Sequence, residues 1–280
     1  MMILDGKKVS ARIKAEAVKE VEALKEKGIK PCLAVVLVGN DPASKVYVRN
    51  KKRACEEVGI ISSEYVLPEE TTQEQLEELI DTLNESENTD GILVQLPLPK
   101  HLDEKAVINR ISVNKDVDAF HPVNVGKIMI GDYDFLPCTP AGVMELIKES
   151  GIDVAGKHCV VVGRSNIVGK PQAMLLLHQN GTVTVCHSKT ANLKEECLRA
   201  DIIVAAVGKE NIITADMVKP GAVVIDVGMN RNAEGKLCGD VDFENVKEIA
   251  GAITPVPGGV GPMTIAMLMK NTVKAAQMRK

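Results

Sequence analysis

Tyr47 and Lys51 stand four residues apart in "VYVRNKK" (46–52). On a helix, positions i and i+4 share a face, so a phenol and an ammonium project together and could relay a proton. The surrounding segment, Ser44-x-x-Tyr47-x-x-x-Lys51, follows the helix-opening "GNDPAS", and Arg49, Lys52 and Arg53 make it basic. The plain alternative is a cationic helix face paired with nearby acids. Gln95 interrupts the apolar run "GILVQLPLP", and two prolines end that run at once. An amide there needs hydrogen-bond partners, and a strand's carboxyl end is where pockets form; the alternative is a strand-end side chain reaching solvent. Asp116 and Asp118 in "NKDVDAFHP" would point to one side of an extended segment. A carboxylate there could anchor an amine or guanidine-like edge of a substrate, although turn capping is the commoner task of Asp.

A second set of residues suits a dinucleotide. "HCVVVGRSNIVGKP" reads as a strand ending at Gly163, a tight turn, and a helix opened by Gly169-Lys170-Pro171. A pyrophosphate would meet free backbone N–H groups and the positive helix end there. The usual G-x-G-x-x-G is altered: Ser165 takes the middle position and the last glycine moves to Gly169. The next strand ends in "CHSKT", where an NAD site would carry an acid for the ribose 2′-hydroxyl. Ser188 and Lys189 stand there instead, with Arg164 just past the first glycine. A hydroxyl and cations suit a 2′-phosphate, so NADP is favoured over NAD; the alternative is a solvated polar turn. Gly208, Gly228 and Met229 close two further strands and could offer backbone to the nicotinamide end.

The elements that must position these groups are legible as apolar runs alternating with charged helical patterns. The strands expected are Leu33–Val38, Gly91–Leu96, Val160–Val162, Thr182–Cys186, Ile202–Val207 and Val223–Val227. Near-continuous apolar strands indicate burial on both faces, as in a parallel α/β sheet. The helices expected are Ala11–Lys27, Ser44–Val58, Thr72–Asn84, Pro140–Glu149, Lys170–Gln179 and Ala191–Arg199. A Pro-rich turn, "PCTPAGV" (137–143), marks a division, and "TPVPGGVGP" (254–262) precedes a last apolar helix, Met263–Met278, expected to pack back on the first half. The domains are then residues 1–137 with 263–280, and residues 138–262.

Composition narrows the class. With 280 residues, 45% hydrophobic content and a net charge of -4, the chain holds about two cores and lacks the basic excess of a general nucleic-acid binder. Its seven cysteines are scattered, odd in number and contain no C-x-x-C, so no zinc site or other metal site and no disulfide framework is expected, and reduced cytosolic thiols are the default. The amino terminus turns charged at Asp5, and the longest apolar runs are strand-sized, so neither a signal peptide nor a membrane span is expected. A cytoplasmic protein is the reading.

A Tyr-x-x-x-Lys pair is also the relay of short-chain dehydrogenases, but there it follows the glycine-rich turn within one Rossmann domain. Here it precedes Gly163 by more than 100 residues and falls in another domain, which rejects that family.

The motifs "LVGNDPASKVYVRNKKRACEEVGI", "GILVQLPLP", "KDVDAFHPVNVGK", "PCTPAGV", "VVVGRSNIVGKP", "TVCHSKT", "DVGMNR" and "TPVPGGVGPMT" occur in this order over nearly the whole chain. Together they closely resemble the bifunctional methylenetetrahydrofolate dehydrogenase/methenyltetrahydrofolate cyclohydrolases. One departure is Ala119, where many members carry Gly after Asp-Val-Asp. The resemblance implies an N-terminal α/β catalytic domain, a C-terminal NADP-binding Rossmann domain, a folate cleft between them, and homodimers usually formed through the nucleotide domain. It also implies Lys51 as the catalytic lysine with Tyr47 beside it, Gln95 holding the lysine, and Asp118 gripping the pterin. Leu96 and the Pro257–Ile265 segment, with Gly258, Gly259, Val260, Gly261 and Pro262, would line the folate. Gly163, Arg164, Ser165, Ser188 and Met229 fall at cofactor positions.

These residue types fit two consecutive steps. Hydride transfer from methylenetetrahydrofolate to NADP+ needs orientation more than acid–base work. Hydrolysis of the resulting methenyl cation to 10-formyltetrahydrofolate needs proton transfer, which a lysine supplies as free amine. A desolvated cleft and nearby cationic charge disfavour the ammonium, and Gln95 holds the amine without adding a counter-charge. A shikimate-type NADP dehydrogenase shares the two-domain order but leaves the Gln-Leu-Pro-Leu-Pro strand unexplained. A non-catalytic nucleotide sensor has no need of Tyr47, Lys51, Gln95 and Asp118.

Overall fold

The Cys32–Val38 strand, CLAVVLV, is buried along its whole length. It is central in a three-stranded parallel sheet, flanked by Ile61–Leu67 and Gly91–Val94. The computed structural model describes residues 1–279. It divides into two units: Arg12–Leu136 with the chain from Ile265 onward, and Met1–Ala11 with Pro137–Thr264.

In the unit built on Cys32–Val38, the Gln73–Glu85 helix covers one sheet face. Its Leu76, Ile80 and Leu83, spaced at helical intervals, pack into a cluster with Ala34, Val36 and Val94. A reciprocal capping box between Thr72 and Gln75 fixes where that helix starts. Gly91 has no room for a side chain, since a Cβ would lie 2.7 Å from Val117 Cγ1. Ile61–Leu67 escaped the sequence reading because it is a sheet edge whose ISSEYVL forms no apolar run. The last helix, Val260–Gln277, starts three residues earlier than expected. Its buried Asn271 donates 2.8 Å hydrogen bonds to the carbonyls of Val117 and Leu136, which ties the returning helix to this unit.

The other unit holds a six-stranded sheet in the order Met2–Ile3, Ala252–Ile253, Val223–Asp226, Ile202–Ala205, His158–Val162, Thr182–Cys186. Every neighbouring pair in it is parallel. From His158–Val162 the chain runs first to Thr182–Cys186 and then reverses to Ile202–Ala205 on the opposite side. That reversal is a topological switch point, and ligands of open α/β sheets bind at its carboxyl edge. The first eleven residues lie in this unit, whereas the sequence reading grouped them with the first half. Met2–Ile3 pairs with Ala252–Ile253, and two residues are too few to show a strand pattern. No helix among the described residues is long and apolar enough to cross a membrane.

Candidate functional sites in the two units

The Pro42–Val58 helix carries Tyr47 and Lys51. Asp41 accepts a 2.7 Å bond from the Ser44 N–H, and Pro42 opens the first turn, so "GNDPAS" sets where the helix begins. Lys51 is partly buried, and its Nζ donates a 3.0 Å hydrogen bond to Gln95 Oε1. Gln95 is itself constrained: its Nε2 donates to the Leu96 carbonyl at 2.6 Å, and its backbone N–H to Val36 at 2.8 Å. The sheet thus delivers a neutral amide oxygen to the amine. Tyr47 lies one turn before Lys51 with 37% of its surface exposed, and burial pushes its phenol up, keeping it protonated. The plain reading holds for two neighbours, since Lys52 pairs with Glu64 at 2.9 Å and Arg53 with Glu57 at 3.4 Å.

Asp116 forms a parallel bridge with Ile92, whereas Asp118 lies in the turn that follows, so the two do not share the one extended segment expected. Asp116 is buried and accepts from the Phe120 and His121 backbones and from Asn124 Nδ2, which is the capping role. Burial pushes its carboxyl up. Asp118 is less buried; together with Leu96 and Phe120 it lines a cavity of about 10 Å³, room for a water at most. Ala119 adopts φ +57° with its methyl buried. Only glycine takes that left-handed conformation freely, so Ala119 holds a backbone geometry that a glycine would adopt at less cost.

In the other unit a cleft of about 540 Å³ opens at the switch point. Gly163, Arg164, Ser165, His187, Ser188 and Lys209 are among its lining residues. Gly163 has φ +132°, and a Cβ on it would fall 2.2 Å from the Ala206 carbonyl oxygen. Gly169 is equally confined, 2.3 Å from the Gly163 oxygen, so the displaced glycine lets helix and strand approach. Ser165 Oγ accepts from the Val168 and Gly169 N–H groups at 3.2 Å each, so these donors are engaged rather than free as the sequence reading had them. Lys189 is not among the lining residues; Lys209 is, and no sequence pattern marked it. With a guanidinium, an ammonium and a hydroxyl, and no Asp or Glu among these lining residues, the cleft fits a phosphate-bearing dinucleotide.

Two glycines offer less than expected. The Gly208 N–H donates to Asp240 Oδ2 at 3.0 Å and the Gly228 N–H to Asp226 Oδ1 at 2.9 Å, so both are consumed internally. Met229 is 49% exposed. A Cβ on Gly261 would lie 3.7 Å from Met229 Cε, which brings a cofactor candidate beside a substrate candidate. Pro257, Gly258, Gly259, Val260, Gly261 and Pro262 all belong to this unit, while Lys51, Gln95, Leu96 and Asp118 belong to the other. Gly259 approaches Gly6 so closely that a Cβ on Gly6 would fall 1.7 Å from its carbonyl oxygen. No sequence pattern marks Asp226 or Asp240, although Asp226 ends the Val223–Asp226 strand at the sheet's carboxyl edge.

Two family models match the chain: the tetrahydrofolate dehydrogenase/cyclohydrolase catalytic domain over residues 4–118 and its NAD(P)-binding domain over residues 137–280. The bifunctional protein FolD of Acetivibrio thermocellus is 68% identical over 277 residues, covering 99% of this chain and 97% of that protein. The structure of FolD methylenetetrahydrofolate dehydrogenase/cyclohydrolase from Campylobacter jejuni has a TM-score of 0.98 at 53% identity, covering 100% of both chains. That of Trypanosoma brucei, complexed with NADP cofactor and inhibitor, has a TM-score of 0.94 at 40% identity, covering 99% of this chain and 97% of the other. Shikimate 5-dehydrogenase from Thermus thermophilus shares the fold alone, at 15% identity and a TM-score of 0.52, covering 89% of this chain and 100% of that one.

Proposed function

The chain belongs to the tetrahydrofolate dehydrogenase/cyclohydrolase family, and from that premise we propose that its two activities draw on different residues, Lys51 for hydrolysis and the Gly163–Lys209 cleft for NADP. The enzyme oxidises 5,10-methylenetetrahydrofolate to 5,10-methenyltetrahydrofolate with NADP+ and hydrolyses the product to 10-formyltetrahydrofolate. When bound, NADP+ takes the hydride that leaves the methylene carbon.

The observation that carries the residue assignment is the 3.0 Å bond from Lys51 to Gln95. Oxidation leaves a cationic carbon, and water attacking it must lose a proton. Lys51, as free amine, takes that proton and returns it to the ring nitrogen whose bond to carbon breaks, so the amine is regenerated; the second water proton leaves the carbinol hydroxyl for solvent as the formyl C=O forms. Gln95 fixes the amine's direction, and its lack of charge leaves the amine form accessible. Tyr47 orients the same group, Asp118 and Leu96 hold the pterin, and Pro257–Pro262 line the folate. In the cleft, Arg164 and Ser188 meet the 2′-phosphate, Gly163 and Ser165 shape the turn beneath the pyrophosphate, and Met229 borders the nicotinamide.

A homodimer in the cytoplasm completes the proposal. Thr182–Cys186 forms the outer edge of the six-stranded sheet, and Leu177, Val185 and Leu198 expose 50%, 39% and 40% of their surfaces beside it or in the neighbouring helices. An apolar sheet edge of this kind favours pairing with a second copy. The seven cysteines are all free thiols, as a reducing compartment keeps them.

The test is a coupled assay with methylenetetrahydrofolate and NADP+ or NAD+ in parallel. The expected record is NADP-preferring formation of the methenyl chromophore followed by its decay. Oxidation without decay would remove the hydrolytic half.

A further inference from the structure

Asp240 is fully buried, yet its carboxylate accepts three consecutive backbone N–H groups: Val207 at 2.6 Å and Gly208 at 3.0 Å on Oδ2, and Lys209 at 2.9 Å on Oδ1. Asn230 Nδ2 adds a fourth donor to Oδ1 at 2.9 Å. Burying a carboxylate is costly unless its oxygens are fully bonded, and here they are. The three backbone donors form one turn, with Gly208 at φ +72°, and both Val207 and Lys209 line the nucleotide cleft. The residue before the turn, Ala206, supplies the carbonyl against which Gly163 closes.

A second buried carboxylate holds the first. Asp226 accepts from the Asp240 N–H and the Gly228 N–H at 2.9 Å each on Oδ1, and from the Val241 N–H at 2.9 Å on Oδ2. Its own N–H donates to Thr254 Oγ1 at 2.7 Å. Gly239 allows this approach, because a Cβ on it would fall 1.8 Å from Asp226 Oδ2. Two carboxylates therefore tie three segments at the carboxyl edge of the sheet, 207–209, 228–230 and 239–241, and the Asp226 backbone adds Thr254.

We propose that Asp240 is a positioning residue for NADP binding, its carboxylate holding the Val207–Lys209 turn in the cofactor-ready shape and Asp226 holding Asp240. The proposal rests on the assignment of NADP to this cleft. A turn fixed beforehand spares the cofactor the entropy of ordering it, which appears as affinity. An apolar side chain at 240 would strand three buried N–H groups, and an asparagine would offer one acceptor oxygen and turn an NH2 toward a donor.

The test measures NADP+ affinity by calorimetry for the wild type, Asp240→Asn and Arg164→Ala, with amide hydrogen exchange of residues 206–210. For Asp240→Asn the expected result is about tenfold weaker NADP+ binding, faster exchange at 207–209, a raised KM for NADP+ and an unmoved KM for methylenetetrahydrofolate. A purely structural role would lower the folded fraction, hence kcat, and leave both KM values in place. Unchanged affinity in Asp240→Asn with weakened binding in Arg164→Ala overturns the positioning role alone; unchanged affinity in both overturns the cleft assignment with it. Should Asp240→Asn fail to fold, wild-type exchange decides: slow exchange at 207–209 before cofactor is added supports the proposal, and unprotected exchange there overturns it.

Discussion

Lys51 and Gln95, 44 positions apart, meet through a 3.0 Å hydrogen bond in which the amine donates to an amide oxygen. One comes from a helix set by the Asp41 cap, the other from the end of a buried strand, so neither position can shift without moving its element. A carboxylate in place of Gln95 would hold the lysine more tightly but as ammonium, the form that cannot take a proton from water.

Gln95→Glu separates these effects. The new charge favours the ammonium, so hydrolysis at neutral pH should fall about tenfold and its pH profile should move to the alkaline side. Gln95→Ala should lose rate without that displacement. Rates of methenyltetrahydrofolate decay over a pH series read both; an unmoved profile in Gln95→Glu would dissociate the amide from the lysine's protonation.

Arg164→Ala and Ser188→Ala should weaken NADP+ far more than NAD+, since each removes a donor proposed for the 2′-phosphate. A charge-assisted hydrogen bond is worth about 1.5–3 kcal/mol, so the Arg164 variant should lose roughly 10- to 100-fold in kcat/KM for NADP+. Equal losses for both cofactors would place Arg164 at the pyrophosphate instead.

Gly169→Ala would press a methyl against the Gly163 backbone, where a Cβ has only 2.3 Å. The expected cost is about 1–3 kcal/mol of stability, read as a lowered denaturation midpoint, together with weaker NADP+ binding as the turn is pushed open. Gly28→Ala, where a Cβ meets nothing within 4 Å but φ is +78°, separates backbone strain from this steric effect.

Asp226 gives a pH signature. Burial pushes its carboxyl up to about 6, above the 3.8 of a free aspartate, although three backbone N–H groups pull it down. The folded protein therefore holds this proton more tightly than the unfolded chain, so the group's stabilising contribution is complete below pH 4 and is lost as pH rises through 6. A displacement from 3.8 to about 6 corresponds to about 3 kcal/mol. The stability difference between wild type and Asp226→Asn, measured by denaturant titration from pH 4 to 7, should move against the wild type with rising pH. A flat difference would mean that the carboxyl titrates as an ordinary one.

Much of this was legible in the chain. Thr182–Cys186 has the bounds its apolar run announced, and the Tyr47–Lys51 spacing placed both groups on one helix. Ile61–Leu67 and the two-residue edge Met2–Ile3 were not, because edge strands need no continuous apolar run and take their place from long-range pairing. Gly208 and Gly228 looked like backbone offered to a ligand, yet their N–H groups go to Asp240 and Asp226. Nothing in "DVGMN" or "CGDVDF" says that those acids turn inward, since Asp at a strand end is ordinarily solvated. The cleft's second cation, Lys209, was hidden for a similar reason: it enters through the fold of its turn and not through a motif.

The most direct measurement is the pair of activities in Lys51→Met, which keeps the length of the side chain and removes its amine. Hydrolysis of methenyltetrahydrofolate should fall by about 10²- to 10⁴-fold, the usual worth of general acid–base catalysis, while NADP+ affinity stays at the wild-type value. Hydrolytic turnover retained in Lys51→Met would contradict the assignment of that step to Lys51.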